Sequence, residues 1–258
     1  MDLDLKGKRA LVCGSTQGMG LSIAKELANQ NARVTLFARN EEALKQVLQE
    51  LAGSDHDYIV ADFDDLGEVA NAARKSLQNG DYQILVNNTG GPAPGKIYEA
   101  EIEDFETAMR RHLHVSQTLL KLVLPGMRKA NYGRVVNIIS TSVKIPITGL
   151  GVSNTVRGAM ASWAKTMANE LGPFGITVNN ILPGFINTGR ITSLISGRSK
   201  TQARAEAEIK AEMVSSIPAG RFGEPEEIGD YAAFLCSPSG AYINGTSLQV
   251  DGGRTGSI

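Results

Sequence analysis

Cysteine, long apolar runs and blocks of like charge are all scarce in this 258-residue chain. The two cysteines, Cys13 and Cys236, lack metal-ligand spacing and lie in apolar stretches, which is typical of small buried hydrophobes. Nowhere do about 18 apolar residues follow one another, and the N-terminus has no apolar core of signal-peptide length. These absences argue against membrane insertion and targeting, and they predict a cytoplasmic protein without a metal site.

Net charge is also low. The formal charge is −1 and no long run of Lys or Arg occurs, so we expect neither a nucleic-acid partner nor a membrane partner. A small-molecule substrate fits this balance better. Hydrophobic residues make up 42% of the chain, as in compact globular proteins. We expect one domain over residues 1–258, because a single α/β sheet often reaches about 250 residues.

Tyrosine is also absent from a long interval of the chain. No tyrosine lies between Tyr132 and Tyr231, which excludes a phenol from this segment. Within it, the stretch "GVSNTVRGAM" places Ser153 and Arg157 four residues apart, so on a helix both would face the same way.

Seven short β-rich runs alternate with amphipathic helical segments. That rhythm predicts βαβ units and a parallel sheet, and the nearly continuous Val, Ile and Leu predict helices on both faces. The runs are "RALVC", "RVTLFA", "YIVA", "QILVN", "GRVVNIIS", "ITVNNIL" and "SLQV". Residues 183–200 have the pattern of a long polar loop, followed by a polar helical segment, and we expect a mobile substrate loop over about 183–215.

A glycine-rich turn follows the first predicted strand. In "LVCGSTQGMG" the glycines Gly14, Gly18 and Gly20 precede the helical segment "LSIAKELANQ". Glycines allow close backbone approach, and the free N–H groups of a helix N-terminus attract phosphate oxygens. The turn therefore predicts a dinucleotide pyrophosphate site, and a plain loop is the alternative. The intervening residues predicted to contact the cofactor are Ser15, Thr16 and Met19.

The next strand predicts which dinucleotide binds. An NAD site needs a carboxylate about 20 residues beyond the glycines, for the ribose 2′-hydroxyl. At that distance stand Ala38 and then Arg39, which could pair with a 2′-phosphate and stack on adenine. The sequence thus favours NADP over NAD, and a solvated surface arginine is the alternative.

Further motifs give the chain a family resemblance. From about Lys6 to Gly253 it resembles the short-chain dehydrogenase/reductase family, which carries a G-x3-G-x-G loop. The resemblance assigns cofactor contacts to an acid and its neighbour after the third strand, to an N-N-A-G-like motif and to the turn in "LPGFINT". Those positions are Asp62, Phe63, Asn88, Gly90, Pro183, Gly184, Ile186 and Thr188. The C-terminal segments "GRFGEPEEIGDYAAFL" and "INGTSLQVDGG" also match.

The resemblance implies a doubly wound Rossmann fold, a homotetramer, and hydride transfer between NAD(P)H and a carbonyl or alcohol. Within the family, the general likeness is to carbonyl reductases and 3-oxoacyl carrier-protein reductases. Its catalytic serine corresponds to Ser140. The family's tyrosine, lysine and asparagine fall on Ser153, Arg157 and His112 here, so three of four catalytic positions are changed.

Chemistry limits what the changed residues can do. A phenol beside a lysine trades protons, but an aliphatic hydroxyl and a guanidinium do not, so we expect Ser153 and Arg157 to bind without titrating. Alternatively, Arg157 holds only the nicotinamide ribose. His112 is the first candidate proton donor, since histidine titrates near neutral pH, and a polar helix face is its alternative. His114 lies about 200° round an α-helix and reads as structural.

Two function classes remain open at this stage. The first is an NADP-linked oxidoreductase with an altered proton-delivery site, and the second is a catalytically silent NADP-binding sensor or scaffold. Non-redox chemistry is a third reading, which the complete cofactor motifs disfavour. If Lys144, Arg157 and Arg190 converge, an anionic substrate would fit their charge.

Overall fold

Seven parallel strands form one sheet in the computed structural model, which describes residues 1–257. The strand order is β3-β2-β1-β4-β5-β6-β7, and every pair is parallel. The strands are β1 (Arg9–Cys13), β2 (Arg33–Ala38), β3 (Asp57–Val60), β4 (Ile84–Asn87), β5 (Gly133–Ile138), β6 (Ile176–Pro183) and β7 (Ser247–Val250). All seven predicted strands are confirmed. The order turns back between β1 and β4, where ligands bind in open α/β sheets.

Helices cover both faces of this sheet, which makes the fold the doubly wound Rossmann type, as predicted. They are α1 (Gly18–Asn29), α2 (Glu41–Glu50), α3 (Leu66–Ser76), α4 (Ile102–Met109), α5 (Val115–Lys129), α6 (Gly151–Leu171), α7 (Gly189–Gln202), α8 (Glu206–Ser215) and α9 (Pro225–Cys236). Helices α1, α2 and α9 pack on one face, and α3, α5 and α6 on the other. No helix within these residues is long and apolar enough to cross a membrane.

Successive residues along a strand point to opposite faces of the sheet. In β1, Ala10 and Val12 join the α1 side of the core, whereas Leu11 and Cys13 join the α5 side. A strand covered on both sides needs apolar residues at every position, which explains the unbroken apolar runs in the sequence. Cys13 and Cys236 are both buried and unpaired, as predicted.

A ladder of asparagine side chains crosses the sheet from β4 to β7. Asn87 donates to Oδ1 of Asn137 at 2.8 Å, and Asn137 donates to Oδ1 of Asn180 at 2.9 Å. Asn180 in turn donates to Oγ of Ser247 at 3.0 Å. Buried amides that pair with one another avoid the cost of unmet hydrogen bonds. The ladder fixes the carboxyl-terminal part of β4, where the candidate site begins.

The segment predicted as a polar loop is mostly helical, so that prediction was wrong. Residues 189–202 form α7, whereas residues 206–215 form α8, which confirms the polar helical segment predicted after the loop. Ile191 and Ile195 of α7 pack against Ile209 and Met213 of α8 in a separate apolar cluster. The four-residue spacing of these apolar pairs is helical, and it outweighs the many Ser, Thr and Gly residues around them.

Candidate functional site

The glycine turn after β1 is a backbone cradle with no space for side chains. Gly14 has a φ of +59°, in the left-handed region. A Cβ added to Gly20 would lie 2.6 Å from Nδ2 of Asn88 and closer still to the carbonyl oxygen of Gly14. Asn88 itself donates to the carbonyls of Cys13 (3.3 Å) and Gly14 (3.2 Å). The predicted phosphate-loop residues therefore form one tightly packed unit, joined to the end of β4.

Helix α1 begins at this turn. The Gln17 side chain makes no capping hydrogen bond, so the first amides of α1 are left for an anion. Thr16 and Met19 are half-buried beside them. Ser15 differs from the prediction, because its side chain is fully buried and its Oγ accepts a 2.9 Å bond from the amide of Phe37. Ser15 thus anchors β2 through its hydroxyl.

Arg39 and Asp62 lie together at the ends of β2 and β3. The Arg39 guanidinium is 3.8 Å from the Asp62 carboxylate, and the arginine side chain is 76% exposed. An exposed pair at this distance contributes little stability, so the guanidinium can turn towards a phosphate at small cost. Phe63 packs edge-on against Phe37 with ring centroids 5.2 Å apart. These positions fit an NADP adenosine with its 2′-phosphate at Arg39.

A narrow cavity, here called the inner cavity, lies between β4, β5 and α6. Its lining includes Phe63, Asn87, Asn88, His112, Ser116 and Arg157. Three buried polar atoms on its lining residues have no hydrogen-bond partner: Oδ1 of Asn87, Nε2 of His112 and Nε of Arg157. The inner cavity is therefore lined in part by unpartnered polar groups, and it brings two of the four predicted catalytic residues together.

His112 reaches the inner cavity through a break in regular helix geometry. Residues Arg110–His114 form a π-helical turn between α4 and α5. His112 is 4% exposed, whereas His114 is exposed. Burial, and then the charges of Arg157 and Arg111, lower the pKa of His112 well below its usual value. The prediction that His112 titrates near neutral pH was wrong, because its imidazole is neutral there.

Arg157, which the resemblance sets at the family's lysine position, is buried in the second turn of α6. Its Nη1 donates a 2.8 Å bond to the carbonyl oxygen of Ile138 at the end of β5. Burial, reinforced by the charge of Arg190, lowers the pKa of Arg157 to about 10, so it stays a cation at pH 7. Ser153 differs from the prediction, since it is half-buried and lines neither this cavity nor the cleft described next.

A larger opening of about 140 Å³, here called the outer cleft, lies between the loop after β5 and helix α7. Several residues that the sequence analysis singled out line the outer cleft: Met19, Ser140, Pro183, Gly184, Ile186, Thr188 and Arg190. Ser140 accepts a 3.1 Å bond at Oγ from the amide of Ser142, which orients its hydroxyl. Thr188 lies beside Gly18, with Cγ2 3.3 Å from where a Cβ on that glycine would be. The outer cleft therefore adjoins the glycine turn.

Three further residues complete the comparison with the sequence. Lys144 is exposed and lines neither opening, so it does not join Arg157 and Arg190 as hypothesised. Gly90 is likewise exposed and lines neither. Sequence reasoning missed Arg254, which lines the outer cleft with its guanidinium 4.2 Å from the centre of the Phe185 ring. The only signal for it was its place just after the matched "DGG" motif.

Comparisons with known proteins agree with this architecture. A family model described as enoyl-(acyl carrier protein) reductase matches residues 14–255. The chain is 32% identical to the 3-oxoacyl-[acyl-carrier-protein] reductase FabG of Vibrio cholerae, covering 97% of this chain and 98% of that protein. It is 28% identical to the NADPH-dependent reductase BacG of Bacillus subtilis, covering 97% and 99%. L-sorbose reductase of Gluconobacter frateurii, solved with NADPH and L-sorbose, superposes with a TM-score of 0.93 at 28% identity over both whole chains.

Proposed function

The chain belongs to the short-chain dehydrogenase/reductase family, and we propose that it is an NADP(H)-dependent carbonyl reductase or alcohol dehydrogenase with a non-standard active site. Several relatives are named as 3-oxoacyl-[acyl-carrier-protein] reductases, and we propose an activity of this type for the chain. The single observation that carries the proposal is the packed cradle of Gly14, Gly20 and Asn88 beside a cleft that contains Ser140.

NADP(H) is the cofactor. The amides at the start of α1 would hold its pyrophosphate, Arg39 its 2′-phosphate, and Ile186 and Thr188 its nicotinamide. Relatives support this assignment, since BacG is named as NADPH-dependent and L-sorbose reductase was solved with NADPH. When bound, NADPH supplies a hydride to a carbonyl carbon.

The chain's own residues then bind and stabilise the reacting oxygen. Ser140 holds the substrate carbonyl oxygen by donating a hydrogen bond. As hydride adds to the carbon, the electron pair of the C=O bond moves to oxygen, and the fixed charge of Arg157 stabilises the resulting alkoxide. Arg157 does not give up its proton at neutral pH, so the proton comes from water that enters the outer cleft, and the hydroxide left behind is neutralised by solvent, which makes one solvent proton the net proton source. The products are the alcohol and NADP⁺.

A specific observation favours a second candidate, the NADP-binding sensor or scaffold. Among the described lining residues of the outer cleft, no Tyr, Lys, His, Asp or Glu occurs. Acid–base groups usually contribute about 10²- to 10⁴-fold to a rate, and such a cleft lacks them. A sensor or scaffold of this kind would bind NADP(H) without turning over a substrate.

Fluorescence titration with NADPH and NADH, followed by NADPH oxidation on a panel of ketones and oxo acids, tests both candidates. Tight NADPH binding with slow turnover on at least one carbonyl supports the reductase. Binding without turnover on any substrate supports the sensor, and failure to bind either nucleotide rejects both. The homotetramer implied by the family stays a prediction, which sedimentation analysis tests.

A further inference from the structure

Two arginines that are far apart in the sequence both line the outer cleft. Arg190 lies in the first turn of α7, and Arg254 follows β7. Both line the cleft together with the hydroxyls of Ser140 and Thr141 and a mainly apolar wall. No Asp or Glu is found among the described lining residues, so the cleft is a positively charged, largely apolar site.

Neither arginine has a carboxylate partner within 4 Å in the part of the chain that the structure covers. Arg221, by contrast, pairs with Glu227 at 2.7 Å. Arg190 donates only to the carbonyl of Pro92, at 3.0 Å. Nε of Arg254 is buried without any hydrogen-bond partner. Arg190 is exposed and Arg254 is half-buried, so both guanidinium groups are accessible and can pair with an anion.

Asp251, which lies three residues before Arg254, already accepts hydrogen bonds from the backbone. Asp251 uses one carboxylate oxygen to accept from the amide of Gly253 and the other to accept from the amide of Thr255, at 3.0 and 2.7 Å. Arg254 is instead held by stacking over Phe185, which fixes the plane of its guanidinium. A fixed guanidinium plane suits bidentate binding of a carboxylate or phosphate.

A third guanidinium adds to the same charge. A Cβ built on Gly91 would lie 3.6 Å from Nη2 of Arg157 and 3.9 Å from Nη2 of Arg190, so both approach one point of the backbone. Arg157 belongs to the inner cavity, and Arg190 to the outer cleft. Arg157 and Arg190 therefore place positive charge on either side of Gly91, between the inner cavity and the outer cleft.

We propose that the substrate carries an anionic group, a carboxylate or a phosphate ester, which Arg190 and Arg254 bind while Ser140 holds the reacting oxygen. This inference rests on the proposed oxidoreductase function and names its substrate class as oxo acids or oxo phosphates and their alcohols. The apolar wall contacts the carbon chain between the two polar ends.

Calorimetric titration of the NADPH-saturated protein with three unreactive probes tests the proposal. The probes are hexanoate, hexyl phosphate and hexanamide, which share an alkyl chain and differ in charge. We expect at least one anion to bind 10-fold or more tightly than the amide, and the better anion identifies the group. Equal affinity for the amide, or no binding by either anion, would overturn the proposal.

Variants assign the binding to the named residues. Arg254→Gln should weaken the preferred anion at least 10-fold and leave hexanamide unchanged, and Arg254→Lys should recover part of the loss. Arg190→Gln should act in the same direction. The matched control is Arg128→Gln, because Arg128 also stacks on a phenylalanine, 3.8 Å from the Phe174 ring centre, but lines neither opening. An unchanged anion affinity in Arg254→Gln would contradict the assignment.

NADPH affinity, measured by fluorescence on every variant, separates this inference from the function it rests on. Absence of an anion preference in the unaltered protein, with NADPH binding intact, rejects only the substrate class. Failure of the unaltered protein to bind NADPH rejects the oxidoreductase itself.

Discussion

Nη1 of Arg157 donates a 2.8 Å hydrogen bond to the carbonyl oxygen of Ile138, which joins the start of α6 to the end of β5. The bond holds a buried cation at the inner cavity, which His112 and Asn87 also line. Such a cation stabilises negative charge on a reacting oxygen without exchanging protons at neutral pH. The predictions that follow depend on this division between charge stabilisation and proton transfer.

Introducing a phenol at position 153 and a lysine at position 157 should raise turnover. We expect Ser153→Tyr combined with Arg157→Lys to increase kcat at least 10-fold, because a positioned acid–base pair typically contributes about 10²- to 10⁴-fold. NADPH oxidation followed at saturating carbonyl measures the change. The control is Ser153→Phe with Arg157→Lys, which adds the ring without its hydroxyl. Equal rates in the Tyr and Phe variants would contradict the reasoning.

Gly20→Ala should damage the cofactor cradle. The added methyl meets the Gly14 carbonyl and the Asn88 amide, so we expect NADPH affinity to fall at least 10-fold and stability to fall by about 1–3 kcal/mol. Gly158→Ala is the control, since Gly158 lies in α6 with open space around it. An alanine there should stabilise the helix by about 0.5–1 kcal/mol. Fluorescence and denaturant titrations give both quantities, and unaltered NADPH binding by Gly20→Ala would count against the cradle.

Arg39→Ala should separate the two nicotinamide cofactors. Loss of a charge-assisted bond to the 2′-phosphate should weaken NADPH roughly 10- to 100-fold. NADH has no such phosphate, so its affinity in the same variant serves as the internal control. A parallel fall in both affinities would assign Arg39 to general nucleotide binding instead.

His112 should make the protein less stable in mild acid. Its pKa in the fold lies below its ordinary value of 6.5, so below that pH the unfolded chain binds a proton that the folded chain rejects. Stability is therefore lost as pH falls below about 6.5, by up to about 1.4 kcal/mol per pH unit. Denaturant titrations between pH 7.5 and 5 should show a smaller loss in His112→Asn. The exposed His114 supplies the control variant, and identical pH profiles for His112→Asn and the unaltered protein would refute this.

The sheet could be predicted from sequence because strands buried on both faces need uninterrupted apolar residues. The Arg190 to Lys200 region could not be predicted in the same way, since Ser, Thr and Gly obscured the helical spacing of Ile191 and Ile195. Their burial depends on α8, which lies beyond the turn in the chain. Local composition was therefore a poor guide where two short helices stabilise each other.

The site was only partly predictable, for a related reason. The glycine turn and Arg39 follow from spacing within one βαβ unit, and the structure places them directly after β1 and β2. The low pKa of His112 arises from burial beside Arg157, 45 positions along the chain. Arg254 reaches the outer cleft by stacking on the distant Phe185. Contacts of this kind have no signature in any short stretch of sequence.

A crystal structure of the protein with NADPH tests the central claim most directly. We predict the pyrophosphate on the first amides of α1, the 2′-phosphate at Arg39, and the nicotinamide beside Ser140 with no phenol in reach. A cleft without the nucleotide, or a tyrosine hydroxyl adjoining Ser140, would contradict the account.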